Sequence, residues 1–213
     1  MFFMNRSKSE MVTPGDALAG RTTEIPTAKT HFVYGTPIIA DVPEGLQEAM
    51  FGMGCFWGAE RRYWKIDGVK STSVGYMGGV TVNPSYEAVC TGATGHAEMV
   101  CVEFDPNLVS YRRLLEEFWV MHDPTSLNRQ GGDIGTQYRS AIFTTTHEQL
   151  QVALASCLTY QEELNKAGMD RICTEILSAE GVEYYLAEEY HQKYLQKNPN
   201  GYDCHSSTGV PYP

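Results

Sequence analysis

An apolar run from Ala49 to Gly54 reads as a buried strand that ends directly at Cys55. There the pattern switches to helical spacing: Phe56, Ala59, Tyr63 and Ile66 recur on one face, with Glu60, Arg61, Arg62 and Lys65 on the other. Asp67-Gly68 stops that helix. Val69 to Tyr76 reads as a second strand ending at Gly78-Gly79, and residues 80–96, rich in Gly, Pro, Asn and Thr, as loop. Ala97 to Phe104 is a third strand. Ser110 caps a helix reaching about Met121, with Val109 and Leu114 at the two positions of a hydrophobic staple. Tyr138 to Phe143 is a fourth strand. Thr146-x-x-Gln149 forms a capping box at the start of a long helix, whose apolar face carries Leu150, Ala153, Leu154, Cys157, Leu158 and Leu164 and which Gly168 closes. A last helix is expected around Tyr184 to Lys197.

Residues 1–45 carry Pro, Thr and Gly punctuation with little periodicity and read as an irregular arm; residues 198–213 read as a flexible polar tail. The order strand, helix, strand, strand, helix, strand predicts an α+β fold. Its core is a ferredoxin-like split βαβ arrangement with helices against a mixed sheet, and residues 1–213 form a single catalytic domain.

Composition narrows the function classes. With 42% hydrophobic and 20% charged residues the 213-residue chain matches ordinary globular usage. A net charge of −10 argues against nucleic acid or an anionic membrane as partner. No apolar run approaches the roughly 20 residues of a membrane span, and Met1-Phe2-Phe3-Met4 turns polar at Asn5, so a soluble cytoplasmic monomer is expected. The cysteines Cys55, Cys90, Cys101, Cys157, Cys173 and Cys204 form no CxxC pair, which disfavours a disulfide framework or a zinc site. Free thiols remain.

Cys55 differs from the others by its place between a strand end and a helix start, inside Gly54-Cys55-Phe56-Trp57-Gly58. A thiol there faces unsatisfied backbone N–H groups and the positive end of the helix dipole, which favours thiolate and lowers the pKa below its free value of about 8.5. The competing reading is a buried cysteine acting as a small hydrophobe. Glu98 shares strand parity with Val100, Val102 and Phe104, so its carboxyl falls on an apolar face where desolvation would keep it protonated; the competing reading is an exposed glutamate at a strand end. Glu103 has the opposite parity and reads as an ordinary strand-end glutamate.

Gly54-Cys55-Phe56-Trp57-Gly58-Ala59-Glu60 resembles the signature of the peptide methionine sulfoxide reductase A family. The similarity continues through Gly75-Tyr76-Met77-Gly78-Gly79, Asn83-Pro84-Ser85-Tyr86, Thr94-Gly95-His96-Ala97-Glu98, His122-Asp123-Pro124, Gly135-Thr136-Gln137-Tyr138-Arg139-Ser140 and Asn198-Pro199-Asn200-Gly201-Tyr202. It covers most of the chain, with Asp16-Ala17-Leu18 also similar.

The resemblance implies reduction of methionine S-sulfoxide, free or in oxidised proteins, with Cys55 as nucleophile and Glu98 as acid. It implies that Tyr86 and Tyr138 bond the sulfoxide oxygen, that Phe56 and Trp57 wall the pocket for the S-methyl group, and that Asp133 belongs to the active site. The sulfenic acid left on Cys55 would condense with Cys204 and the disulfide would be reduced by a thioredoxin-type donor, with no metal and no organic cofactor. Cys90, Cys101, Cys157 and Cys173 are read as structural, and His96, His122, His191 and His205 as structural or exposed.

Three departures from the family pattern stand out. Tyr202-Asp203-Cys204 is one residue longer than the common spacing, and the chain ends Val210-Pro211-Tyr212-Pro213 without a further cysteine, which implies a single disulfide, Cys55–Cys204. Gly132 stands where the family usually has Asn. A thiol peroxidase and a zinc-stabilised binding module using Cys204 and His205 are the alternative classes; peroxide consumption and elemental analysis separate them.

Overall fold

The computed structural model describes residues 8–38, 42–203 and 206–213. Cys204 and His205 lie outside the described residues, as do parts of the arm. Strand β1 (Gln47–Met53) leads into helix α1 (Phe56–Tyr63) and strand β2 (Val69–Met77). A short helix α2 (Tyr86–Cys90) precedes β3 (Ala97–Phe104), and α3 (Tyr111–Met121) follows. Two-residue strands β4 (Arg129–Gln130) and β5 (Asp133–Ile134) pair with each other ahead of a 3-10 turn at Thr136–Tyr138. Then come β6 (Ser140–Thr144), α4 (His147–Lys166), β7 (Glu175–Ser178), β8 (Tyr184–Leu186) and α5 (Tyr194–Lys197).

The main sheet runs β7-β6-β1-β3-β2-β8. Its central four strands, β6-β1-β3-β2, are antiparallel neighbours throughout, so β1-α1-β2 and β3-α3-β6 each straddle a strand of the other. That is the expected split βαβ core. β7 joins parallel to β6 and β8 antiparallel to β2, which makes the sheet mixed. Phe51, Tyr63, Val100, Val102, Phe104, Leu114, Phe118 and Trp119 are buried where helices meet sheet.

Local signals behave as the sequence predicts at the helix ends. Ser110 Oγ accepts from Arg113 N–H and Thr146 Oγ1 from Gln149 N–H. The return bond of the capping box reaches one residue further back, from Thr145 N–H to Gln149 Oε1. Gly168 takes a positive φ of 71°, and Met169 N–H bonds the Leu164 carbonyl, closing α4 as a Schellman turn.

Six expectations are corrected, the last of them in the tail. Tyr184–Leu186 is a strand rather than the start of a helix, because its backbone completes the ladder beside Gly75–Met77, and only Tyr194–Lys197 is helical. β7 was not expected; it pairs along the otherwise open edge of β6. Within 80–96, Ser85 caps the short helix α2. Tyr138 lies in the 3-10 turn and β6 begins at Ser140. Leu154 and Leu158 of α4 face solvent, while Gln149, Ala153, Ser156, Tyr160 and Leu164 are buried, since the helix packs on α3 through that face. Ser156 is buried there because it accepts the Trp119 indole N–H at 3.0 Å.

The arm is laced to the domain: Thr136 N–H bonds the Lys8 carbonyl, Leu18 N–H the Ala93 carbonyl and Arg21 N–H the Val82 carbonyl. The tail, expected to be flexible, is also docked, with Tyr160 Oη bonded to Thr208 Oγ1 and to the Val210 carbonyl. No helix among the described residues is long and apolar enough to cross a membrane.

Candidate active site

Gly54 turns the chain out of β1 with a φ of +84°, a conformation side chains disfavour, and a Cβ there would meet the Gln130 side chain. Cys55 therefore lands at the N-cap of α1, 7% exposed. Antiparallel pairing of β1 with β3 places the end of β1 beside the start of β3, where Glu98 sits. Phe56 N–H, the first of α1, donates to Glu98 Oε2 at 3.1 Å. The glutamate is 2% exposed, and its pKa is pushed up to about 8. Burial is the main cause and the charge of Asp133 adds to it, while the Phe56 N–H bond acts the other way. At neutral pH this carboxyl holds its proton.

Tyr86, first residue of α2, and Tyr138, last of the 3-10 turn, are half-buried around that carboxyl. Burial, then the charge of Glu98, raises the pKa of both phenols, so both remain donors. Tyr138 also feels Cys90, Asp133 and Cys55. Asp133 accepts from Tyr202 Oη at 3.1 and 3.2 Å to its two oxygens, and Gly132 beside it is exposed with open space where a side chain would stand.

The aromatic wall is wider than the sequence reading. Phe56 is buried among Tyr76, Tyr86 and His191, with ring centroids 5.9, 6.5 and 5.4 Å away. Trp57 is partly exposed and stacks on Tyr194 at 3.8 Å, and its indole N–H donates to His191 Nδ1 at 3.1 Å. His191, read as a structural or exposed histidine, is buried inside this wall. Its neighbours Glu188 and Tyr194 were missed because the segment was read as a helix whose faces gave no hint of the site. His96 and His122 keep structural roles, bonded to Gly79 N–H and the Thr81 carbonyl, and to the Phe118 carbonyl and Ser140 Oγ.

Among the other cysteines, Cys101 is buried, Cys157 packs at the edge of the main core, and Cys173 lies against the Pro124 carbonyl. Cys90 lies closer to the site than expected: burial raises the pKa of its thiol, a hydrogen bond with Tyr86 acts the other way, and the charges of Glu98 and Glu188 raise it further. The described parts of the tail bracket Cys204. Asp203 pairs with Arg61 of α1, and Ser206 lies against Gly131. No cluster of three or more metal-ligating side chains occurs among the described residues.

A thiol at a helix start beside a carboxyl that keeps its proton, ringed by phenols and an aromatic wall, defines a thiol-dependent oxidoreductase. The chain belongs to the peptide methionine sulfoxide reductase family, whose profile matches residues 47–210. It is 54% identical to peptide methionine sulfoxide reductase MsrA 1 of Synechocystis sp. over 206 residues, 97% of this chain and 92% of the relative. Methionine sulfoxide reductase A of Corynebacterium diphtheriae superposes with a TM-score of 0.86 at 42% identity, covering 95% of this chain and 99% of that one. Mxr1 of Saccharomyces cerevisiae in reduced form gives 0.69 at 37% identity, covering 80% and 96%. Mxr1 has also been solved in complex with Trx2.

Proposed function

We propose that the protein reduces methionine S-sulfoxide, free or in oxidised proteins, to methionine, and that the site residues act as follows. The thiolate of Cys55 attacks the sulfoxide sulfur while Glu98 gives its proton to the oxygen, and Tyr86 and Tyr138 hydrogen-bond that oxygen as charge builds on it. Phe56 and Trp57 hold the S-methyl group in a water-poor pocket. Asp133, tied to Tyr202, shapes the rim beside Tyr138. The new sulfur–sulfur bond and the substrate S–O bond then break as the protonated oxygen passes to the cysteine sulfur. Methionine leaves, and Cys55 carries the oxygen as a sulfenic acid. The thiol of Cys204 displaces it as water to give a Cys55–Cys204 disulfide, and a thioredoxin dithiol reduces that bond.

The observation that carries this reading is the Glu98 carboxyl, protonated near neutrality and bonded to the N–H next to Cys55. A thiol peroxidase has no use for an acid and an aromatic wall on that side of the thiol. The family membership supports the substrate, and the solved complex of Mxr1 with Trx2 supports a thioredoxin-type donor. Residues 1–213 are taken as one catalytic domain acting as a monomer in the cytoplasm, where thioredoxin keeps thiols reduced. A reductase assay on the two separated sulfoxide epimers tests the proposal: turnover of the S epimer alone supports it, and turnover of neither removes it.

A further inference from the structure

Helix α2 has five residues, too few to hold together by its own hydrogen bonds, yet it carries Tyr86. Ser85 Oγ accepts the Ala88 N–H at 3.3 Å. The Tyr86 N–H itself is taken by Glu188 Oε1 at 2.9 Å, from a segment 102 positions away. The other oxygen of the same carboxylate, Oε2, accepts the Tyr76 hydroxyl at 2.8 Å. Tyr76 is fully buried, lies opposite Glu98 in the β2–β3 ladder and packs on Phe56.

Glu188 is itself held firmly. Gln192 bonds both the N–H and the carbonyl of Val74 in β2, and also the Ala187 carbonyl, while Ala187 N–H reaches the Val74 carbonyl. The segment is thus fastened to the strand that carries Tyr76. Across from it, His191 Nδ1 accepts the Trp57 indole N–H, so the proton of the neutral ring sits on Nε2, 4.0 Å from Glu188 Oε2.

We propose that Glu188 is a positioning residue for the reduction, setting Tyr86 against the sulfoxide oxygen by holding the start of α2 and the Tyr76 hydroxyl with one carboxylate. This rests on the reading that Tyr86 bonds that oxygen. Displacing a positioned group by about 1 Å can cost on the order of 100-fold in rate, and loss of Glu188 frees the first N–H of α2.

The test is single-turnover release of methionine from methionine S-sulfoxide by the full chain. Glu188→Ala should slow the chemical step by about 10–100-fold with little change in KM. Glu188→Gln should recover most of the rate, because its carbonyl still accepts the Tyr86 N–H and its amide can donate to Tyr76 Oη. In the double variant, Tyr86→Phe should add far less than it does alone, since the phenol is already misplaced. Tyr76→Phe, which removes one bond and keeps the ring, should slow the step by a smaller factor. A wild-type rate in Glu188→Ala, or full additivity with Tyr86→Phe, overturns the proposal; if the alanine variant does not fold, a wild-type rate in Tyr76→Phe does so. A wild-type rate in Tyr86→Phe alone would instead remove the underlying reading of Tyr86.

Discussion

Glu98 and Cys55 are linked through a backbone group: the N–H of Phe56, next to the cysteine, donates to Glu98 Oε2 at 3.1 Å. The bond fixes the carboxyl at the mouth of α1, and burial keeps the proton on it. Acid and nucleophile are therefore set by the same turn of chain.

Cys55→Ser should abolish methionine sulfoxide reduction and leave the fold unchanged. A serine hydroxyl is far too weakly acidic to ionise and stand in for a thiolate at this helix start. Circular dichroism verifies the fold, and any turnover in the folded variant shows that another group attacks the sulfur.

Glu98→Gln should slow single turnover by about 10²–10⁴-fold, the usual range for loss of a general acid. Substrate binding should change less, since the amide keeps the shape. A wild-type rate would leave Glu98 a structural role only.

The pH dependence follows from the same group. Its pKa in the fold, about 8, lies above the ordinary 4.5, so the folded protein binds the proton more tightly than the unfolded chain. The Glu98 contribution to stability is full below about pH 4.5 and is lost as pH rises to about 8. The chemical step should fall on the alkaline side with a midpoint near pH 8. Glu98→Gln should erase both slopes, readable from denaturant titrations and single-turnover rates across pH.

Cys204→Ser should still release one equivalent of methionine per enzyme. Turnover with thioredoxin should collapse, because that donor acts on a disulfide, and dithiothreitol should restore part of it. Mass spectrometry of the wild type after one turnover should show Cys55 linked to Cys204; a link from Cys55 to Cys90 or Cys101 would make the tail a bystander.

Lys193 and Glu60 form an ion pair with both side chains fully buried, and Thr72 and the Lys193 N–H also bond the carboxylate. Lys193→Met should destabilise the protein by about 3–5 kcal/mol, because it leaves a buried charge without its counter-ion. Urea unfolding measures this; a change below about 1 kcal/mol would show that the pair adds nothing to stability.

Strand parity and capping chemistry carried most of the fold. Val100, Val102 and Phe104 share with Glu98 the face of β3 that the helices cover, and Ser110, Thr146 and Gly168 mark the ends of α3 and α4. What failed was set by distant pairing. Tyr184–Leu186 is a strand only because Gly75–Met77 offers it an edge, and His191 enters the site only because Gln192 fastens its segment to Val74. Neither partner is visible within a local window. The wall formed by Trp57, His191 and Tyr194 was half legible for the same reason, since Trp57 follows the nucleophile while the others arrive from the far end of the chain.

The antiparallel ladder of β1 and β3 lies at the middle of the sheet, and in it Phe51 faces Val100, so Cys55 and Glu98 extend from the same end of that ladder. The reactive pair is thus absent from the chain until two strands about 50 positions apart in sequence have zipped together. An unfolded or half-made copy carries only an ordinary surface-like thiol, and reactivity switches on with folding itself. Opening the pair again means parting the central strands, which draws on nearly the whole stability of the domain. Backbone amides of Phe51 and Val100 should accordingly be among the slowest in the protein to exchange with solvent.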